Sequence, residues 1–225
     1  MKRSFFFLSF LCFFACSNSK NSPNFIEKVT GKYLFNSNES IEIYFLDNEL
    51  KVKWRGNDNI SPLKVNDSTF YVQEMNEKIV FVLKPKTHIV LAEKREHKGK
   101  KYLFEKLPDG QKTPLEYLLN NEYKNALAGY LAIQQKDSLD KTISQRTLIT
   151  YGFEAMNEKK MDLAINIFKI NTVLYPTQSN GFNRLGSAYW RVKDTSNTVK
   201  AYKKALSINP ENSEASRFLK KHKFE

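Results

Sequence analysis

Residues 166–176, "NIFKINTVLYP", and residues 200–210, "KAYKKALSINP", end two stretches of chain in the same way, thirty-four positions apart. In each, an aromatic residue, Phe168 or Tyr202, stands eight positions before a proline, Pro176 or Pro210. The same interval pairs Leu148 with Phe182, Tyr151 with Leu185, Gly152 with Gly186 and Ala155 with Tyr189. Self-similarity at this period marks a unit of two helices that buries its apolar face only by stacking on its neighbours. Each residue type has a reason. Gly152 and Gly186 let the first helix approach its neighbour closely, Ala164 fits where two helices cross, and the prolines stop the second helix. Two positions depart from the pattern: Asn171 stands opposite Ala205, and Thr198 opposite Ala164.

Outward from this pair the pattern weakens without ending. Upstream, "NEYKNALAGYLAI" repeats the second-helix residues as Ala126 and Tyr130, but 38 positions before Ala164 and Phe168. We read residues 113–141 as a degenerate first unit, with "TPLEYLL" as a short first helix and "QQKDSLDKT" as a lengthened exit. Downstream, "NSEASRFLKKHKF" places Ala215, Phe218 and Leu219 on one side of a lysine-rich helix, as a terminal capping helix over residues 213–223 requires. The full repeats then occupy 145–178 and 179–212. With these residues on the page, the region 113–223 resembles the tetratricopeptide repeat.

Before residue 107 the period is two. Ile41, Ile43 and Phe45 alternate with Glu42 and Tyr44, and Leu50, Val52 and Trp54 with Lys51 and Lys53. These are half-buried strands, and Asp47-Asn48 between them is a hairpin signal. Further short runs up to "KKYLFEKL" give seven or eight strands over residues 25–107, a small antiparallel β-barrel or sandwich. "LPDGQKTP", 107–114, marks the boundary where the period changes. The fold class is therefore α+β and multidomain.

The first residues have the layout of a signal peptide over 1–15: Lys2 and Arg3, an apolar run from Phe5 to Phe14, then Ala15. The run is too short to span a bilayer comfortably. "FFAC", 13–16, resembles a bacterial lipobox, which implies lipidation of Cys16 and a lipid-anchored, exported protein of the cell envelope, at the outer membrane. Residues 16–24, "CSNSKNSPN", read as a tether. The second cysteine, Cys12, lies in the leader, so no disulfide or cysteine metal site is expected. Net charge falls from +12 to +10 with the leader removed, and the charge is spread over both halves. An exported basic protein is kept from genomic nucleic acid; anionic lipid or polysaccharide is then the electrostatic partner to expect, but charge spread this evenly reads first as a merely solvated surface.

The order of "GKYLF", "ELKVKW", "SPLKV" and "KKYLFEKL", followed by "INIFKINTVLYP" and "GFNRLGSAYW", is similar to the C-terminal tail of many exported serine hydrolases of the β-lactamase and penicillin-binding class, without their catalytic domain. That resemblance raises a Ser-x-x-Lys nucleophile. Ser17–Lys20 and Ser138–Lys141 match the spacing, but no Lys-Thr-Gly accompanies them. His88, His97 and His222 are too dispersed for a metal. We expect no catalytic residues, metal or cofactor, and no enzyme.

What remains is binding. In repeats of this kind the first helix of each unit lines a concave face. By register its free positions are Arg146, Ile149, Phe153 and Asn157 in one unit, and Asn180, Asn183, Ser187, Trp190 and Arg191 in the next. Trp190 beside Arg191 combines residue types enriched at binding hot spots; the alternative is that Trp190 packs on the β domain or the capping helix. The expected partner is a protein or peptide. A rival reading makes the β domain a small-ligand carrier lined by Trp54, Phe70, Phe81 and Phe104, although inward aromatics of short strands are more often core. A third, from the hydrolase resemblance, is an accessory regulator of a separate hydrolase.

Overall fold

A computed structural model describes residues 20–224. The signal peptide and Cys16 lie outside the described residues, as do the first four residues of the expected tether.

The described part of that tether is not loose. Asn21 is buried, accepting nothing on its own oxygen but exchanging two bonds with Asn48: its N–H donates to Asn48 Oδ1 and its Nδ2 to the Asn48 carbonyl, each at 2.8 Å. The Ser22 hydroxyl then accepts from the N–H of Phe25, and Pro23 occupies the first turn of helix α1 (Pro23–Val29). Serine as cap followed by proline is the arrangement a helix start favours, because the missing proline N–H would have no partner there anyway. α1 drives Phe25 between the two sheets, with ring centroids 6.3 Å from Phe45, 6.1 Å from Phe70 and 5.6 Å from Phe81. Burying such a ring is worth roughly 1.5–3 kcal/mol, enough to hold the segment down.

The β half contains nine strands among the described residues, in two antiparallel meanders. The first sheet is β1 (Gly31–Leu34), β2 (Ser40–Leu46), β3 (Glu49–Trp54) and β4 (Asn57–Ile60); the second is β5 (Leu63–Lys64), β6 (Thr69–Val72), β7 (Glu77–Val82), β8 (His88–Leu91) and β9 (Leu103–Glu105). Asp47 and Asn48 both take positive φ, which gives the β2–β3 turn the twist that antiparallel strands need. Alternation sends Ile41, Ile43 and Val52 from one sheet, and Phe70, Ile79, Phe81 and Ile89 from the other, into one core. The sheets are joined along one edge by the Tyr33–Lys106 bridge and the bond from Leu107 N–H to Lys32 O at 2.8 Å, while β4 and β5 are not paired. The structure is thus a sandwich closed on one side, not a closed barrel.

The helical half comprises α2 (Pro114–Leu119), α3 (Tyr123–Lys136), α4 (Gln145–Asn157), α5 (Met161–Leu174), α6 (Ser179–Arg191), α7 (Thr195–Ile208) and α8 (Ser213–His222). These are three antiparallel pairs and a final helix. A Cβ on Gly152 would lie 2.2 Å from the Phe168 ring, and one on Gly186 3.0 Å from the Tyr202 ring, so both glycines are the sockets for their unit's second-helix aromatic. The turn within each pair is also the same. Asn121, Lys159 and Lys193 adopt left-handed φ of 61–62°. The next N–H reaches back across the turn, Glu122 to Tyr117 O, Lys160 to Ala155 O and Asp194 to Tyr189 O, at 2.8–3.0 Å. The degenerate first unit therefore closes like its successors. Its extra length lies in the 3-10 turn Lys141–Ile143 and Ser144, the cap of α4.

Both departures from the repeat pattern are accommodated. Asn171 is fully buried, with Nδ2 donating to Gln145 O; its oxygen fits the space left by the absent side chain of Gly181 but has no hydrogen-bond partner among the described residues. Thr198 places its hydroxyl on the Asp194 carbonyl at 2.7 Å.

Candidate functional site

The first helix of each unit presents a side that the repeat core does not use. On α4, Arg146, Phe153 and Asn157 are exposed and Ile149 is half-buried. On α6, Asn180, Trp190 and Arg191 are exposed and Ser187 is half-buried. Asn183 is not available: it is buried, donating from Nδ2 to Asn212 Oδ1 at 3.1 Å and to Glu214 Oε2 at 3.3 Å, so it ties α6 to the start of α8. Trp190 packs on the capping helix, one of the two placements its sequence position left open. Its ring lies 5.2 Å from Phe218, 4.6 Å from His222 and 6.4 Å from Phe224, so the capping helix covers one side of it and 37% of the residue stays exposed. Asn183 and Trp190 share a cause. α8 begins thirty-four residues after α6 and stacks on it as one more first helix, burying Asn183 and covering one side of Trp190, positions that the register alone leaves free.

Arg184 is the residue the sequence reading missed. Its Nε donates to Asn180 Oδ1 at 3.0 Å, its NH2 donates to Glu214 Oε2 at 2.8 Å, and its guanidinium lies 5.6 Å from the centre of the Phe153 ring. One side chain thus links α4, α6 and α8. Phe153 in turn stands edge-on to Phe168, 6.0 Å away, so its ring is fixed from beneath while 39% of the residue faces solvent. A cation held over a half-exposed ring offers an apolar contact beside guanidinium donors, the pairing that recurs at binding hot spots. The signal for Arg184 was its place four residues after Asn180 and one turn from Ser187, but the partner that positions it, Glu214, belongs to another helix.

The remaining candidates fall elsewhere. Phe70, Phe81 and Phe104 are buried in the sandwich core, which their rings fill. Trp54 instead lines a cleft between the first sheet and the helices, bordered by Glu42, Arg55, Leu115, Leu119 and Tyr151. Arg55 stacks on the Trp54 ring at 4.6 Å. Ser138 and Lys141 are exposed in the loop after α3. Ser17 lies outside the described residues. Among the described residues no group of three or more histidine, cysteine or carboxylate side chains is placed to hold a metal ion, and no helix is long and apolar enough to cross a membrane.

No protein-family model matches the sequence, and no curated protein is similar to it. Among solved structures, it is similar to the first tetratricopeptide domain of Spaghetti (RPAP3) bound to an HSP90 peptide, at 19% identity over 48% of this chain and 82% of that one, with a TM-score of 0.33. The tetratricopeptide domain of Sgt2 from Aspergillus fumigatus is similar at 20% identity over 49% and 72%, with a TM-score of 0.34. MamA is similar at 20% over 47% and 59%, with a TM-score of 0.30. The tetratricopeptide-type arrangement of the helical half stands on its own contacts, above all Gly152 on Phe168 and Gly186 on Tyr202.

Proposed function

We propose that this chain is a non-catalytic envelope protein, lipid-anchored through Cys16, whose helix pairs hold a protein or peptide partner. The observation that carries the binding role is the strip on α4 and α6 where Phe153 lies under Arg184, with Asn180, Asn157 and Arg191 exposed along the same helices. A ring and a cation already held in place lose little side-chain freedom when a partner docks, so more of the contact energy appears as affinity.

A photoreactive residue at position 153 tests this. Crosslinking in intact cells is expected to yield one discrete higher-mass species, which Arg184→Ala weakens at least about tenfold, the effect of losing roughly 1.4 kcal/mol at a hot spot. No species at position 153 in a protein with an unchanged circular dichroism spectrum would end the reading. Incorporation of a labelled lipid precursor, abolished by Cys16→Ala, tests the anchor separately.

A further inference from the structure

Alternation along the second sheet gives it two apolar faces. Its inner face carries Phe70, Ile79, Phe81, Ile89 and Phe104. Its outer face is set by the strand register. Val80 pairs with Thr69 on one side and Val90 on the other, Val90 pairs with Leu103, and Val65 bonds to Thr69, which makes one row across the sheet. Leu63 and Tyr71 pair in the next row. An antiparallel sheet with one solvated face normally alternates apolar-in and polar-out. Here Leu63, Val65 and Leu103 are 64%, 49% and 53% exposed, with Val80, Val90 and Tyr71 half-buried between them. A contiguous apolar surface of this kind marks a place where something docks.

Two observations say what. Lysines surround this face: Lys78 in the Leu63–Tyr71 row, Lys84 and Lys86 in the β7–β8 turn, and Lys101 just before β9. Two carboxylates accompany them: Glu105, in the row with His88, and exposed Asp67 in the β5–β6 turn, which faces Lys64 at 3.4 Å. The second observation is where the described chain begins. Lys20 and Asn21 border the same depression as Leu63 and Lys64, and Asn21 is pinned to Asn48. Cys16 and Asn21 are five residue steps apart in the sequence, a reach of at most about 18 Å. An acyl chain on Cys16 would therefore hold the edge of this sheet at the bilayer.

We propose that the outer face of the second sheet rests on the anionic lipid surface in which the chain is anchored, with Leu63, Val65, Val80, Val90 and Leu103 in the interface and the lysines on the headgroups. The inference rests on the lipid-anchor reading. It also sets the orientation: α2 meets the outer face of the first sheet through Lys32 and Ser40, so the repeats are carried on the side away from the lipid.

The test uses the full chain purified from envelopes and reconstituted in vesicles of phosphatidylethanolamine and phosphatidylglycerol carrying a nitroxide on the acyl chain. Leu63→Cys, Leu103→Cys and, on exposed α7, Lys203→Cys each receive a fluorophore, while lipid-precursor incorporation at Cys16 is followed on the same samples. The expected result is strong quenching at 63 and 103 and none at 203, with the signal at 103 reduced severalfold by Val65→Glu at an unchanged circular dichroism spectrum. Precursor incorporated without quenching at 63 or 103 overturns the face and leaves the anchor standing. Quenching without incorporation removes the anchor and keeps the face. Disulfide-linked dimers of unlabelled Leu103→Cys under mild oxidation, with no quenching in the labelled sample, would assign the face to a second copy and overturn the proposal.

Discussion

Gly152 and Gly186 occupy the same place in successive units, yet their sockets differ in tightness. A Cβ on Gly152 would come within 2.2 Å of a Phe168 ring that is fully buried, whereas one on Gly186 would sit 3.0 Å from the edge of Tyr202. Overpacking a buried ring costs about 1–3 kcal/mol, and replacing glycine by alanine within a helix returns up to about 1 kcal/mol. Gly152→Ala should therefore destabilise by about 1–2 kcal/mol in urea titration, while Gly186→Ala stays within about 0.5 kcal/mol of wild type. Phe168→Leu should rescue part of the first loss in a double-mutant cycle; additive losses would show that the socket is not the cause. These glycines were legible in the sequence because socket and ring recur at a fixed spacing. Asn183 was not, because its partners Asn212 and Glu214 meet it only once α8 has stacked.

At the scale of elements, α2 shows how a local signal carries a long-range consequence. Thr113 and Glu116 form a reciprocal capping box, readable from "TPLE", but Glu116 Oε1 also accepts from Lys32 Nζ at 2.7 Å and from the Ser40 hydroxyl at 3.2 Å. Burial pushes the Glu116 carboxyl up, and the bonds from Lys32, Thr113 and Ser40 together outweigh it, leaving the group below the usual carboxylate range. A depressed carboxyl stabilises the fold above its unfolded value near 4.3, and that contribution is lost as pH falls through the lower folded value. With both side chains partly exposed, Glu116→Gln should cost only about 1 kcal/mol at pH 7. The gap from wild type should begin to narrow once pH falls below the unfolded value and keep shrinking with further acidification; a gap that does not narrow at all on acidification would mean the charge is not involved. The α1 helix was misread for the opposite reason. Ser22-Pro23 is a sound helix start, but in a small polar stretch it looks the same as a linker until Phe25 finds its place between the sheets.

For the whole molecule, the decisive feature is that the two halves have separate apolar cores and meet through polar contacts. One core runs from Phe25 to Phe104, the other through the repeats. Between them stand Lys32 with Glu116, and Ser37 with Asp140 and Thr142, Thr142 in the four-residue insertion that lengthens the first unit and Asp140 capping its 3-10 turn. The Asn38 side chain and the Tyr130 hydroxyl are fully buried together at this junction, within electrostatic reach of one another. Polar junctions of this kind couple domains weakly, and a chain above about 150 residues need not unfold in one step. The two tryptophans report on the halves individually, Trp54 in the β sandwich and Trp190 under the capping helix. Urea unfolding followed by fluorescence of Trp54→Phe and Trp190→Phe variants should therefore give midpoints that do not coincide. Adding Ser37→Ala and Glu116→Gln should separate them further, because the removed bonds span the junction while both cores stay intact. Coincident midpoints before and after those substitutions would mean that the two cores unfold as one, and that the insertion at 141–144 does more than polar docking.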